Sequence, residues 1–166
     1  MGFKNINIGT TEGVSNVVGT ALLSSPRINR EQMKNIQTNI STALVVDDDI
    51  INRKIHRKLL DNLGIESETV TNGKEAVDVH CDGKNFDLIL MDLEMPIMNG
   101  IEATKKLREM GIHSMIAGVS TRSLEEEKQE FMDAGLNDFK EKPLTVAKLV
   151  SILHKFCEDD LEPVTD

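Results

Sequence analysis

Residues 43–49 read Ala43-Leu44-Val45-Val46-Asp47-Asp48-Asp49, four apolar side chains in a row followed by three acids. A strand with one face in water alternates apolar and polar residues, so this unbroken run suits a strand buried on both faces. Ile51, Ile55, Leu59 and Leu63 then recur every four residues as far as Gly64, which predicts a helix with one apolar stripe and a glycine stop. The strand-helix unit repeats as Glu68 to Thr71 with Gly73 to Val79, as Phe86 to Met91 with Asn99 to Met110, and as Met115 to Val119 with Leu124 to Ala134. A fifth pairs a short strand at Asp138 to Lys140 with Val146, Leu149, Val150, Leu153 and Phe156 at helical spacing. Five such units in succession predict an α/β, doubly wound fold, because parallel strands need crossover connections and the crossovers are right-handed.

These units occupy 42–157, and charge separates them from what flanks them. Of the 19 basic and 28 acidic residues in the 166-residue chain, residues 1–41 carry four and two, 42–157 carry 15 and 21, and 158–166 carry five acids and no base. The expected organisation is a polar, flexible N-terminal arm, one folded domain and an acidic tail too short to fold alone. A net charge of -9 opposes binding to a polyphosphate backbone, so nucleic acid is not an expected partner. The apolar stretch Val17, Val18, Ala21, Leu22, Leu23 has Lys4 before it offset by Glu12 and is too short for a membrane span, so neither secretion nor a membrane is expected. Met1-Gly2 lacks the Ser or Thr of a myristoylation signal, having Ile6 there. Cys81 and Cys157 make no ligand spacing with the four histidines and read as reduced, partly buried thiols.

Ligands of doubly wound sheets bind beyond the carboxyl ends of the strands. Those ends deliver Asp47, Asp48 and Asp49 from the first strand, Asp92 from the third, Ser120 from the fourth, and Lys142 followed by Pro143 from the fifth. Carboxylates gathered so closely raise one another's pKa unless a cation sits among them, and Mg²⁺ suits an all-oxygen set that leaves positions for water and phosphate. With an ammonium and a hydroxyl beside it, Asp92 has what a carboxylate nucleophile for phosphoryl transfer requires. An acidic triplet before a helix also has a plainer use as an N-cap, the role expected of Asp49.

Leu44-Val45-Val46-Asp47-Asp48-Asp49, Leu88-Ile89-Leu90-Met91-Asp92-Leu93-Glu94-Met95-Pro96 with Asn99-Gly100, Gly118-Val119-Ser120, Phe139 and Lys142-Pro143 together resemble the receiver domain of two-component response regulators. The wording of 103–111 and 131–137 is most similar to the output-less type C regulators of plants. The resemblance implies a five-stranded sheet of order 2-1-3-4-5 with five helices. It implies Asp92 as phosphoacceptor, and Mg²⁺ held by Asp47, Asp48, Asp92 and the Glu94 carbonyl. Lys142 would pair with the acyl phosphate, Ser120 would hydrogen-bond it, Phe139 would be the switch aromatic, and the Lys142-Pro143 peptide would be cis. Three positions depart from the commonest pattern or overhang the site: Thr121 follows Ser120 where a small residue is usual, and Glu94 and Arg122 lie two residues beyond Asp92 and Ser120.

The implied function is a stand-alone, Mg²⁺-dependent response regulator fed by a histidine-containing phosphotransfer protein, itself fed by a hybrid histidine kinase, as in cytokinin signalling in the cytoplasm and nucleus. With no output domain expected, a phosphate sink acting as a phosphohistidine phosphatase is one alternative, and a phosphorylation-independent binding module is another. Haloacid-dehalogenase-like phosphatases need Asp-x-Asp, whereas this chain has Asp92-Leu93-Glu94. Arg53, Lys54, Arg57 and Lys58 on the first helix form a basic patch suited to steering an acidic partner.

Overall fold

The structure is a computed structural model, and it describes residues 39–122 and 124–159. The signal-like stretch around Val17, most of the N-terminal arm and the tail from Asp160 lie outside the described residues. The elements are β1 (Thr42–Val46), α1 (Ile50–Asn62), β2 (Glu66–Val70), α2 (Gly73–Cys81), β3 (Leu88–Asp92), α3 (Gly100–Glu109), β4 (Met115–Ser120), α4 (Glu125–Asp133), β5 (Asp138–Glu141) and α5 (Val146–Asp159). All four strand pairings are parallel and the order is β2-β1-β3-β4-β5. This is the expected doubly wound arrangement, with the order reversing between β1 and β3.

Strand side chains alternate between two cores. Leu44, Val46, Ile89, Met91 and Ile116 face α2, α3 and α4, where Ile101, Leu107 and Phe131 complete the cluster. Ala43, Val45, Leu88, Leu90, Ala117 and Val119 face α1 and α5, meeting Leu60, Leu149, Ile152 and Leu153. A period of two with apolar partners on both sides produces the unbroken apolar runs. Each fully buried leucine or isoleucine contributes about 1.5–3 kcal/mol of transfer free energy.

Asp49 caps α1 by accepting from Ile51 N at 2.8 Å, as expected of it. Asn72 and Asn99 cap α2 and α3 by accepting from Glu75 N and Glu102 N, both at 2.9 Å.

The stripe expected on α1 is a correction. Ile51 and Ile55 are 64% and 47% exposed, and the buried residues are His56 and Leu60. A row spaced by four advances about 40° round the helix at each step, so its C-terminal members approach the sheet while the first ones turn to solvent. β2 begins two residues before the expected Glu68, since only Val70 among its residues is buried and apolarity marks little of an edge strand. Cys81 is exposed at the end of α2, not partly buried, and Cys157 is half-buried; the two form no disulfide. α5 runs on to Asp159, two residues past the expected boundary. Among the described residues no helix is long and apolar enough to cross a membrane.

Candidate functional site

Register brings the site residues together. Val46 pairs with Met91 and Asp92 with Val119, so Asp47, the residue after β1, and Asp92, the last of β3, leave the same edge of the sheet. Ser120 ends β4 and pairs with Glu141, which sets Lys142 just beyond β5; its backbone N–H donates to the Ser120 carbonyl at 2.8 Å. The Lys142-Pro143 peptide is cis.

Lys142 Nζ donates to Asp47 Oδ2 at 2.8 Å and to Asp92 Oδ1 at 3.1 Å. Asp47 and Asp92 are 1% and 6% exposed, whereas Asp48 is open to solvent. Burial raises the Asp92 carboxyl to about 6; Lys142 opposes the rise, and Asp47 and Asp48 add to it. Burial alone would lower the Lys142 ammonium, but its hydrogen bond to Asp47 and the charges of Asp92 and Asp47 outweigh that and raise it. Three carboxylates against one ammonium leave the ionised site two charges short of neutrality.

One oxygen from each of Asp47, Asp48 and Asp92 lies within 4.8 Å of the others. Hard oxygen donors, an excess of negative charge and one solvent-facing ligand fit Mg²⁺, which keeps several of its waters. Glu94 lines the same groove as Asp48, and its side chain is exposed.

The remaining expected residues surround this centre. Ser120 is 1% exposed, and its Oγ accepts from Arg122 N at 3.1 Å, which leaves its O–H proton uncommitted. Arg122 Nη1 pairs with Glu94 Oε1 at 3.2 Å, linking the β4–α4 and β3–α3 loops on the solvent side. Thr121 is exposed, and so is Pro143. Phe139 is half-buried and meets Phe131 edge to face at 6.4 Å between centroids.

Glycine is required where α3 starts. A Cβ on Gly100 would strike the Asp92 carbonyl oxygen and come within 2.9 Å of Phe131 Cζ, so Asn99-Gly100 seats the helix directly against the backbone of Asp92. Ile97, in the loop between them, has φ 73 and is 75% exposed, a strained conformation for a β-branched residue.

Three neighbours of the site lie outside the constellation expected at the strand ends. Arg53 Nη1 donates to the Asp47 carbonyl at 2.8 Å, so one base of the expected α1 patch belongs to the site, while Lys54, Arg57 and Lys58 are exposed. His56 is buried, and burial lowers its pKa, with Asp47 opposing and Lys142 assisting. Lys128 Nζ sits 5.7 Å above the Phe139 ring. Only Arg53, one turn into the helix that follows the acids, was within reach of spacing arguments.

Comparison with known proteins agrees with this geometry. Residues 43–154 match the model of the response regulator receiver domain. "Two-component response regulator 24" of Arabidopsis thaliana is 67% identical over 125 residues, covering 75% of this chain and 90% of that protein. Among solved structures, the complex of a Saccharomyces cerevisiae histidine phosphotransfer protein with the receiver domain of its downstream response regulator matches with TM-score 0.67 and 26% identity, over 76% of this chain and 96% of that one. The receiver domain of a Pseudomonas aeruginosa sensor histidine kinase, with a magnesium ion coordinated in its active site cleft, matches with TM-score 0.63 and 27% identity, over 71% and 98%. The likeness to plant regulators agrees with the type C wording of its helices, and the chain belongs to the response-regulator receiver-domain family.

Proposed function

We propose that Asp92 accepts a phosphoryl group from a histidine-containing phosphotransfer protein in a multistep relay that begins at a hybrid histidine kinase. The observation that carries this reading is the Lys142 ammonium held between Asp47 and Asp92 at the strand ends. At pH 7.5 a carboxyl with a pKa of about 6 is mainly ionised, so Asp92 is available as a nucleophile. Its oxygen bonds to phosphorus as the donor's N–P bond breaks, and the electron pair of that bond returns to the donor's imidazole. Lys142, anchored by Asp47, stays beside the oxygens that then carry the charge. The uncommitted Ser120 hydroxyl donates to one of them. Asp47, Asp48 and Asp92, with the Glu94 carbonyl, would hold Mg²⁺, which when bound neutralises phosphoryl charge.

A protein donor is supported by the surface. Large apolar side chains exposed among the described residues are Ile50, Ile51 and Ile55 on α1, Ile97 beyond β3 and Leu124 before α4. Four of the five sit where chain leaves the carboxyl edge of the sheet, around the mouth above Asp92. Phenylalanine at 139 fits the switch aromatic, since it packs against α4 through Phe131 and Lys128. Cytokinin signalling, the cytoplasm and the nucleus come to this chain from its resemblance to plant regulators. A phosphate sink is the second reading, favoured by the exposed Asp48, which leaves water a route to the phosphoryl group.

Incubation with acetyl phosphate and Mg²⁺, followed by intact mass, tests the acceptor. One phosphoryl group is expected on the native chain and none on Asp92→Asn; an equal gain on both would assign the chemistry elsewhere.

A further inference from the structure

A groove of about 680 Å³ starts at Asp48 and Glu94 and runs on past the site between α3 and α4, where the phosphoryl chemistry does not use it. Leu93, Met95, Pro96 and Ile101 give it apolar surface, and carboxylates rise along its walls from α3 and α4. Glu94 is paired with Arg122, but Glu102, Glu127 and Glu130 make no ion pair among the described residues, and Lys105 is the one base in the lining. Glu127 Oε2 is buried without a hydrogen-bond partner. A carboxylate oxygen withdrawn from water in this way is costly until a donor reaches it. Apolar surface between acidic walls suits a peptide that interleaves bases with apolar side chains.

The chain itself carries such a segment. Three of the four bases in residues 1–41 are Arg27, Arg30 and Lys34, interleaved with Ile28 and Met33 and opposed within the segment only by Glu31. Charge complementarity therefore holds within one molecule. So does reach. The described chain enters β1 through the buried Ile40, at the pole opposite Asp92. β1 climbs about 17 Å to the site's level, whereas the stretch from Arg27 to Asn39 spans up to about 40 Å when extended.

We propose that residues 27–34 bind in the groove between α3 and α4, so that the chain covers one side of its own phosphorylation site. The contact does not depend on which donor serves Asp92 or on phosphorylation at all. It sets the N-terminal arm in competition with a docking partner for the approach to Asp92, and salt weakens it.

Amide spectra of the full chain and of its Arg27→Gln/Arg30→Gln/Lys34→Gln variant test the contact, since all three substitutions lie outside the described residues and leave the groove's own side chains unchanged. The expected differences at low ionic strength centre on Glu102, Lys105, Glu127 and Glu130, and shrink severalfold at about 0.5 M salt, where charges are screened within several ångströms. Identical spectra at these amides, or differences confined to another face, would overturn the proposal. Acetyl phosphate labelling of the same two proteins is read separately: groove differences without label on Asp92 would count against the phosphoacceptor and leave the arm's contact standing.

Discussion

Replacing Asp92 by Asn is expected to stabilise the metal-free protein near neutral pH and to leave its stability unchanged in acid. Asp92 is 6% exposed, and burial moves its carboxyl from 3.8 to about 6. The unfolded chain restores the ordinary value, so the folded state binds this proton more tightly. The stability that protonated Asp92 contributes is fully present below 3.8 and is lost as pH rises through about 6. At about 1.4 kcal/mol for each tenfold change in proton affinity, the loss across that window approaches about 3 kcal/mol. Asn stays neutral throughout and escapes it. Its weaker hydrogen bond to Lys142 returns about 1 kcal/mol, which leaves a net gain of about 1–2 kcal/mol for the variant at pH 7.5. The chain has no Trp and no Tyr, so urea unfolding in EDTA is best followed by far-ultraviolet circular dichroism. The difference closes by about pH 4. Mg²⁺ at ten times its dissociation constant adds about 1.4 kcal/mol to the native protein and less to the variant, narrowing the gap. A variant no more stable than the native chain at pH 7.5, or a gap independent of pH, refutes the electrostatic reasoning.

Three further outcomes follow from other parts of the molecule. Arg108 donates to the carbonyls of Gly135, Ile112 and Ser114 and to Asn137 Oδ1, all within 3.0 Å, so Arg108→Ala strands several half-buried acceptors and lowers unfolding free energy by about 2–4 kcal/mol; a loss under about 1 kcal/mol in urea contradicts that. Arg122→Ala breaks an ion pair whose partners are more than half exposed, so stability shifts by less than about 0.5 kcal/mol. Its acyl phosphate hydrolyses severalfold faster because the mouth opens to water, and an unchanged lifetime by phosphate release would remove the pair from that role. Paired Ile51→Asp and Ile55→Asp substitutions, at positions already facing solvent, slow transfer from a phosphotransfer protein at least tenfold while leaving acetyl phosphate labelling intact. Equal slowing of both donors sinks the docking role of α1.

The fold was legible because its information is local. Ala43 to Val46 and Leu88 to Met91 are apolar at every position, and that pattern has few uses besides a strand covered on both faces. The gathering of Asp47, Asp92, Ser120 and Lys142 was also readable, since parallel strands deliver their carboxyl ends to one edge whatever their order. Side-chain rotation and long-range neighbours were not. Ile51 and Ile55 fit an apolar stripe by spacing, yet which face of α1 meets the sheet depends on how α1 packs against β1 and β2. Arg53 reads as part of a basic patch until the Asp47 carbonyl is seen to lie within 2.8 Å of it. Lys128 and Phe139 are brought together only by the packing of α4 on β5, so no motif announces the cation above the ring. Burial of His56 on a polar-looking helix face has the same origin.

The most direct test uses a phosphotransfer protein carrying label on its phosphohistidine, mixed with the full chain and Mg²⁺, with label followed on both chains and as free phosphate. Label should leave the donor within the mixing period, pass through Asp92, and depend on Lys142 and on Mg²⁺. Persistence on this chain would mark storage and rapid release a sink. An Asp92→Asn variant that still strips label from the donor would contradict the assignment of Asp92 as the acceptor.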